Sequence, residues 1–207
     1  MNTPKHPVLT IGHSTHSQKA FVALLRRHNV TAVADVRSSP YSRFNPQFNK
    51  DVIECDLKEQ NIKYVFLGRE LGGRSDNPSC YENGRIKYTR LAQTELFKSG
   101  IERLIIGAND YRIALMCAEK EPLDCHRTLL VARVLVERGV VINHILPNGS
   151  LESHQSTMER LLDVVGLPHE DLFRSKDELV KEALALREKQ VTYVNKKATN
   201  NITREML

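Results

Sequence analysis

Short apolar runs alternating with amphipathic stretches constrain this chain more than any other feature. Residues 8–11, 30–36, 62–67, 112–117 and 140–146 are compact runs rich in Val, Ile, Leu and Ala. Segments with helical spacing lie between them. Ser17 can cap a helix carrying Ala20, Phe21, Leu24 and Leu25, and Val52, Ile53 and Leu57 share one face of another. Residues 88–106 read as one helix with Gly100 as its weak point, and 128–136 form an almost wholly apolar helix ended by Arg138-Gly139. Parallel strands need crossovers of a dozen residues or more, and right-handed crossovers dominate. The pattern therefore predicts an α/β fold: a mostly parallel sheet of about five strands with helices on both faces.

Beyond the last run, Met158, Leu161, Leu162 and Val165 mark a further helix, and a final one opens at the capping box Ser175-Lys-Asp-Glu178. This predicts an α/β domain over 1–167 and a C-terminal helical extension over 168–207, with a polar tail that frays from about Asn195. Residues 68–87 read as a long loop, and loops of that length are commonly lids or binding loops.

Composition excludes several classes. No apolar run approaches the roughly 20 residues that cross a bilayer, so no membrane partner is expected. The first seven residues carry no apolar signal core. Four sparse cysteines predict free thiols rather than a disulfide scaffold, and with them a cytoplasmic protein. The net charge of +5 permits an anionic partner. The absence of Trp and an aromatic content of 6% argue against a stacking platform for single-stranded nucleic acid.

The chemistry collects where strands end. The run at 112–117 breaks into a charged turn, and Asp124 stands where a helix N-cap is expected, with Cys125, His126 and Arg127 as the first helical turn. A helix N-terminus favours anions and lowers a thiol's pKa. Ligands of doubly wound sheets bind beyond the carboxyl ends of the strands. Gly12-His13-Ser14, Asp35-Val36-Arg37 and Gly72-Gly73-Arg74 leave strands in the same way. His13, Asp35, Arg37, Glu119 and Arg127 are therefore predicted to line one cleft.

In this reading Arg37, Arg74 and Arg127 clamp an oxyanion, because guanidinium forks match it bidentately. Ser14, Gly72, Gly73 and Tyr64 complete the binding surface, and the paired glycines let backbone N–H groups approach a ligand. Cys125 is the candidate nucleophile, His13 or His126 its base, and Glu119 an acid/base or orienter, with Asp35 the remaining member of the catalytic set. Cys117 is predicted buried, Cys55 half-buried and Cys80 exposed. Plainer readings stand beside these: Asp35 and Arg37 as a structural ion pair, Cys117 as a small buried hydrophobe, Glu119 as surface. No metal and no cofactor are called for, because side chains of adjacent helical residues, Cys125 and His126, diverge by about 100°. A zinc or redox sensor built on Cys117 and Cys125 is the remaining alternative.

Taken together, Thr10-Ile-Gly-His-Ser14, Asp35-Val-Arg37 with Ser38-Ser39-Pro40, residues 64–74 ending in Leu71-Gly-Gly-Arg74, and Leu115-Met-Cys-Ala-Glu119 with Cys125-His-Arg127 resemble the bacterial family catalogued as domain of unknown function 488. The resemblance spans residues 8–146 in order. It implies a shared domain and motif set, and no activity. The expectation for function is an enzyme acting on a phosphate- or carboxylate-bearing substrate, a nucleotide or nucleic acid. A non-catalytic module binding the same ligands is the alternative.

Overall fold

The computed structural model describes residues 4–194; the expected fraying from Asn195 lies outside them. The chain runs β1 (Val8–Gly12), α1 (Gln18–Arg27), β2 (Ala32–Asp35), α2 (Lys50–Glu59), β3 (Lys63–Phe66), α3 (Gly68–Leu71), β4 (Tyr81–Glu82), β5 (Arg85–Ile86), α4 (Tyr88–Leu91), α5 (Glu95–Asp110) and β6 (Ile113–Cys117). A π-helical segment (Arg127–Ala132) then leads into α6 (Arg133–Glu137), followed by β7 (Ile142–Ile145), β8 (Leu151–Ser153), α7 (His154–Val165) and α8 (Lys176–Val191).

The main sheet has the order β3-β2-β6-β1-β7-β8. Its first five members pair in parallel, Leu9 opposite Ala114 and Ala32 opposite Ile113, while β8 runs antiparallel along the β7 edge. The five expected strands are the five parallel ones; β8 is an addition.

Alternation in the strands divides the core. Leu9, Ile11, Val33, Ala114 and Met116 pack with Phe21, Leu25, Ile53 and Leu57 of α1 and α2. Val8, Ala32, Ala34, Leu115 and Cys117 pack on the other face with α5, α6 and the C-terminal helices. β1 and β2 thus exit toward one face and β6, which lies between them, toward the other. That reversal of direction opens a crevice beyond their carboxyl ends. One polar chain threads the core: Thr10 Oγ1 lies 2.8 Å from His144 Nδ1, and His144 Nε2 lies 3.1 Å from His154 Nδ1.

Caps fix the helix starts. The Ser17 hydroxyl accepts from the Ala20 N–H, and the capping box of Ser175 and Glu178 is formed in both directions. Two expectations are corrected. The helix foreseen over 88–106 is two, because Thr94 caps a new helix by accepting from the Phe97 N–H. Gly100 is no weak point: a Cβ there would stand 2.7 Å from Glu70 Cβ and 2.8 Å from Leu71 Cδ2, so its bare backbone is what seats α3 on α5. The loop expected over 68–87 holds α3 and the β4–β5 hairpin. That hairpin turns through Asn83-Gly84, both at positive φ (50° and 73°) as a two-residue primed turn requires. Among the described residues no helix is long and apolar enough to cross a membrane.

Candidate functional site at the carboxyl ends of β1, β2 and β6

Two clusters of polar side chains meet in the crevice. The first is a sealed network around Asp35, which is wholly buried. Arg37 grips it bidentately, with Nε 2.9 Å from Oδ1 and Nη2 2.6 Å from Oδ2, and the Tyr64 hydroxyl donates to Oδ2 at 2.7 Å. Arg37 Nη1 donates to His13 Nε2 at 3.2 Å, while His13 Nδ1–H donates to the Ser14 carbonyl at 2.9 Å. The His13 ring stacks on Phe48 with centroids 4.3 Å apart. Burial first, and the Arg37 charge after it, push the His13 pKa down to about 4. His13 is therefore a neutral imidazole with both ring nitrogens occupied. Burial, with Asp35 beside it, pushes the Tyr64 hydroxyl well above its ordinary range.

The second cluster is Cys117, Glu119, Cys125 and His126. Its ligand-type atoms all lie within 4.8 Å of one another. Cys117 ends β6 and Glu119 sits in the turn after it. The residue expected to cap the next helix, Asp124, is used up in a 3-10 turn (Pro122–Asp124) and pairs with Arg187. The cap is Cys125 itself. Its backbone is extended (φ −131°, ψ 139°), its carbonyl accepts from Thr128 and Leu129 N–H, and its Sγ accepts from the Arg127 N–H at 3.4 Å. The extended backbone also removes the objection that the Cys125 and His126 side chains diverge, which holds only if both are helical. Cys117 Sγ and Cys125 Sγ lie 3.7 and 3.8 Å from His126 Nδ1, and the Cys125 thiol lies 3.0 Å from Glu119 Oε2.

Charges in this cluster are strongly redistributed. Burial pushes the Cys117 thiol well up. Burial also opposes ionisation of Cys125, but the hydrogen bond from Cys117 and the charges of Arg127 and His126 outweigh it and hold Cys125 well below its ordinary value. Burial lowers His126, yet the Cys125 thiolate more than offsets this and raises it; burial raises Glu119. The geometry agrees: His126 Nε2–H donates to the Val36 carbonyl at 2.7 Å, so Nδ1 is the nitrogen turned toward the sulfurs.

A cavity of about 370 Å³ opens on this cluster, lined among others by Cys117, Glu119, His126, Ser38, Ser39 and Arg74. Of the five residues expected to share a cleft, all stand at the same sheet edge, but only Arg37 and Glu119 reach the cavity. Arg127 is the clearest correction. It is fully buried, and its guanidinium donates to the Glu119 carbonyl at 2.7 Å and the Lys120 carbonyl at 3.3 Å. It braces the 119–121 turn from beneath and cannot clamp a substrate. Arg37 reaches the wall but is committed to Asp35, so the ion-pair reading of that residue holds. Arg74 faces the cavity, with its guanidinium 4.3 Å over the Tyr193 ring.

Ser14, Gly72 and Tyr64 are not in the lining; they support it. A Cβ on Gly72 would meet Ser38 Oγ at 2.5 Å. Gly73 lines the cavity, and a Cβ there would lie 2.9 Å from His126 Cγ. Gly73→Ala is expected to push the imidazole off the sulfurs and to cost about 1–3 kcal/mol by overpacking, a loss that urea unfolding reads directly. Two thiol expectations are corrected: Cys55, expected half-buried, is exposed, and Cys80, expected exposed, is buried.

The sequence reading did not include Tyr88, Val191 and Tyr193 among the lining residues. Val191 and Tyr193 come from the end of α8 and just beyond. That end is fixed by Glu188, which accepts from the Tyr88 N–H at 2.9 Å, and by Arg187 paired with Asp124. Nothing in the sequence marks this end of α8, since Glu188 is distinguished only by its burial in the fold.

The family model described as "Domain of unknown function DUF488" matches residues 17–134, more than half of the chain. The chain belongs to this family. The match contains Asp35, Arg37, Arg74 and the whole Cys117–His126 cluster, whereas His13, Ser14 and the α8 residues of the cavity fall outside it. No curated protein and no solved structure matches the chain.

Proposed function

We propose that this DUF488 protein is an enzyme acting on a phosphate- or carboxylate-bearing substrate, a nucleotide or nucleic-acid end, in a bacterial cytoplasm. The carrying observation is the cavity whose floor is Cys117, Glu119 and His126 and whose wall presents Arg74, Ser38 and Ser39. Stacking on Tyr193 uses the face of the Arg74 guanidinium and leaves its N–H edges for a planar oxyanion. The clamp is thus one arginine with hydroxyl donors, not three arginines. An anionic substrate seated there brings its reacting atoms over groups suited to nucleophilic, acid/base or Lewis-acid chemistry.

Phosphate, sulfate or a nucleotide is expected to raise the melting temperature at low ionic strength. Linkage gives about 2.7 kcal/mol at a hundredfold excess over the dissociation constant. Arg74→Ala is expected to abolish the response with the fold intact, and Lys58→Ala, exposed in the last turn of α2, to keep it. A wild-type protein indifferent to all three anions removes this reading. Turnover of phosphate esters, lost in Glu119→Gln, separates an enzyme from a binding module.

A further inference from the structure

We propose that Cys117, Cys125, His126 and Glu119 form a zinc site, with the two thiolates and the imidazole as its fixed ligands and the Glu119 carboxylate in the fourth, cavity-facing position. Zinc binds sulfur at ~2.3 Å and nitrogen at ~2.0–2.1 Å in a tetrahedron, which sets sulfur and nitrogen roughly 3.6 Å apart. The observed separations from His126 Nδ1 to the two sulfurs are 3.7 and 3.8 Å, and the four candidate atoms lie within 4.8 Å of one another. Two buried thiols, an imidazole and a carboxylate are a donor set that suits zinc better than calcium or magnesium.

The surroundings are those of a prepared ligand shell. His126 Nε2–H is tied to the Val36 carbonyl at 2.7 Å, which directs the Nδ1 lone pair at the sulfurs, as outer-shell partners of metal-bound histidines do. Gly73 presses its bare backbone on the same ring. Arg127, braced under the turn that carries Glu119, places a positive charge next to a centre of three anionic ligands and one dication. The spacing Cys-x-Glu-x5-Cys-His is not that of a zinc finger. It arises because a strand end, a turn and an extended cap residue converge.

Three firm ligands with a fourth at the cavity is the pattern of a catalytic rather than a structural zinc. Glu119 is exposed as a residue although its carboxylate turns inward. Displacement of this carboxylate by a substrate oxyanion would let the metal polarise it. That catalytic consequence rests on the anionic-substrate reading; metal binding does not.

The test is elemental analysis and native mass spectrometry of the full chain purified without chelator. One zinc per chain is expected. After removal with chelator, cobalt(II) is expected to rebind with a thiolate-to-cobalt charge-transfer band. Cys125→Ser and His126→Ala are expected to lose the metal at least tenfold in affinity, and Cys55→Ser to keep it. Should those variants fail to fold, the cobalt spectrum of the wild-type chain still decides. Folded protein with no zinc and no cobalt–thiolate band overturns the proposal. So does rapid alkylation of Cys125 by iodoacetamide, ahead of exposed Cys55, in the protein as isolated, which would make Cys125 a free nucleophile. Zinc present without anion-dependent stabilisation sinks the substrate reading alone, and the converse result sinks the metal alone.

Discussion

Asp35→Ala is expected to destabilise the protein by about 3–5 kcal/mol, the usual cost of stranding one partner of a buried ion pair. Asp35 is fully buried and Arg37 nearly so. The carboxylate accepts from the Arg37 N–H, Nε and Nη2 and from the Tyr64 hydroxyl. Alanine leaves all four donors facing a void, and the guanidinium, 6% exposed at the cavity wall, loses its counter-charge. The pair is worth much less than that figure. Two desolvated charges repay their burial only in part, so Asp35→Ala combined with Arg37→Met is expected to recover most of the loss. Urea unfolding of wild type, single and double variants measures both numbers. A single-variant loss below about 1 kcal/mol would mean that the pair behaves as a solvated one and that the network is not what fixes the end of β2.

Acid is expected to weaken the fold well before the carboxylates titrate. His13 and His154 are each held neutral by burial, down to about 4 from an ordinary 6.5, and burial also lowers His144. Their folded pKa values lie below the unfolded ones. For His13 and His154 the associated stability is therefore complete above about pH 6.5, declines as pH falls because only the unfolded chain takes up the protons, and levels off below about pH 4. At ~1.4 kcal/mol per unit, each of the two amounts to about 3 kcal/mol over that window. Urea midpoints from pH 7 to 4 should trace the decline. His154→Asn should make it shallower by its own share, since His13 and His144 keep theirs. A midpoint constant from pH 7 to 5 would show that these rings are hydrated and titrate normally.

The parallel sheet was legible because its inner strands β1, β2 and β6 are near-continuous apolar runs, as burial on both faces demands, while the edge strand β3 alternates exposed and half-buried residues. Elements stabilised by something other than periodicity were not. β8 is three residues with an exposed Leu151, held by its pairing with β7 and by Arg160 of α7 gripping the Glu152 carboxylate. The β4–β5 strands are two residues each, and their one sequence signal, Asn83-Gly84, sits inside a stretch whose composition says loop. At the site, the identity of the clustered residues was legible and their register was not. Asp124 is the better capping residue by type, yet Pro122 starts a 3-10 turn that consumes it and passes the cap to Cys125. One residue of register decides whether the thiol diverges from His126 or joins it. Arg127 misled for a different reason. An arginine at a helix start resembles a clamp until tertiary structure supplies the Glu119 and Lys120 carbonyls that absorb it.

The end of α8 has a consequence for how this architecture diversifies. The thiols, the imidazole and the carboxylate lie within the segment matched by the family model, while Val191 and Tyr193, which roof them, are supplied by residues after 134. Floor and rim of the cavity are thus drawn from different parts of the chain. Exchanging the final helix would reshape the rim at Val191 and Tyr193 and leave the four clustered side chains in place, as long as Arg187 and Glu188 keep their anchors on Asp124 and the Tyr88 N–H.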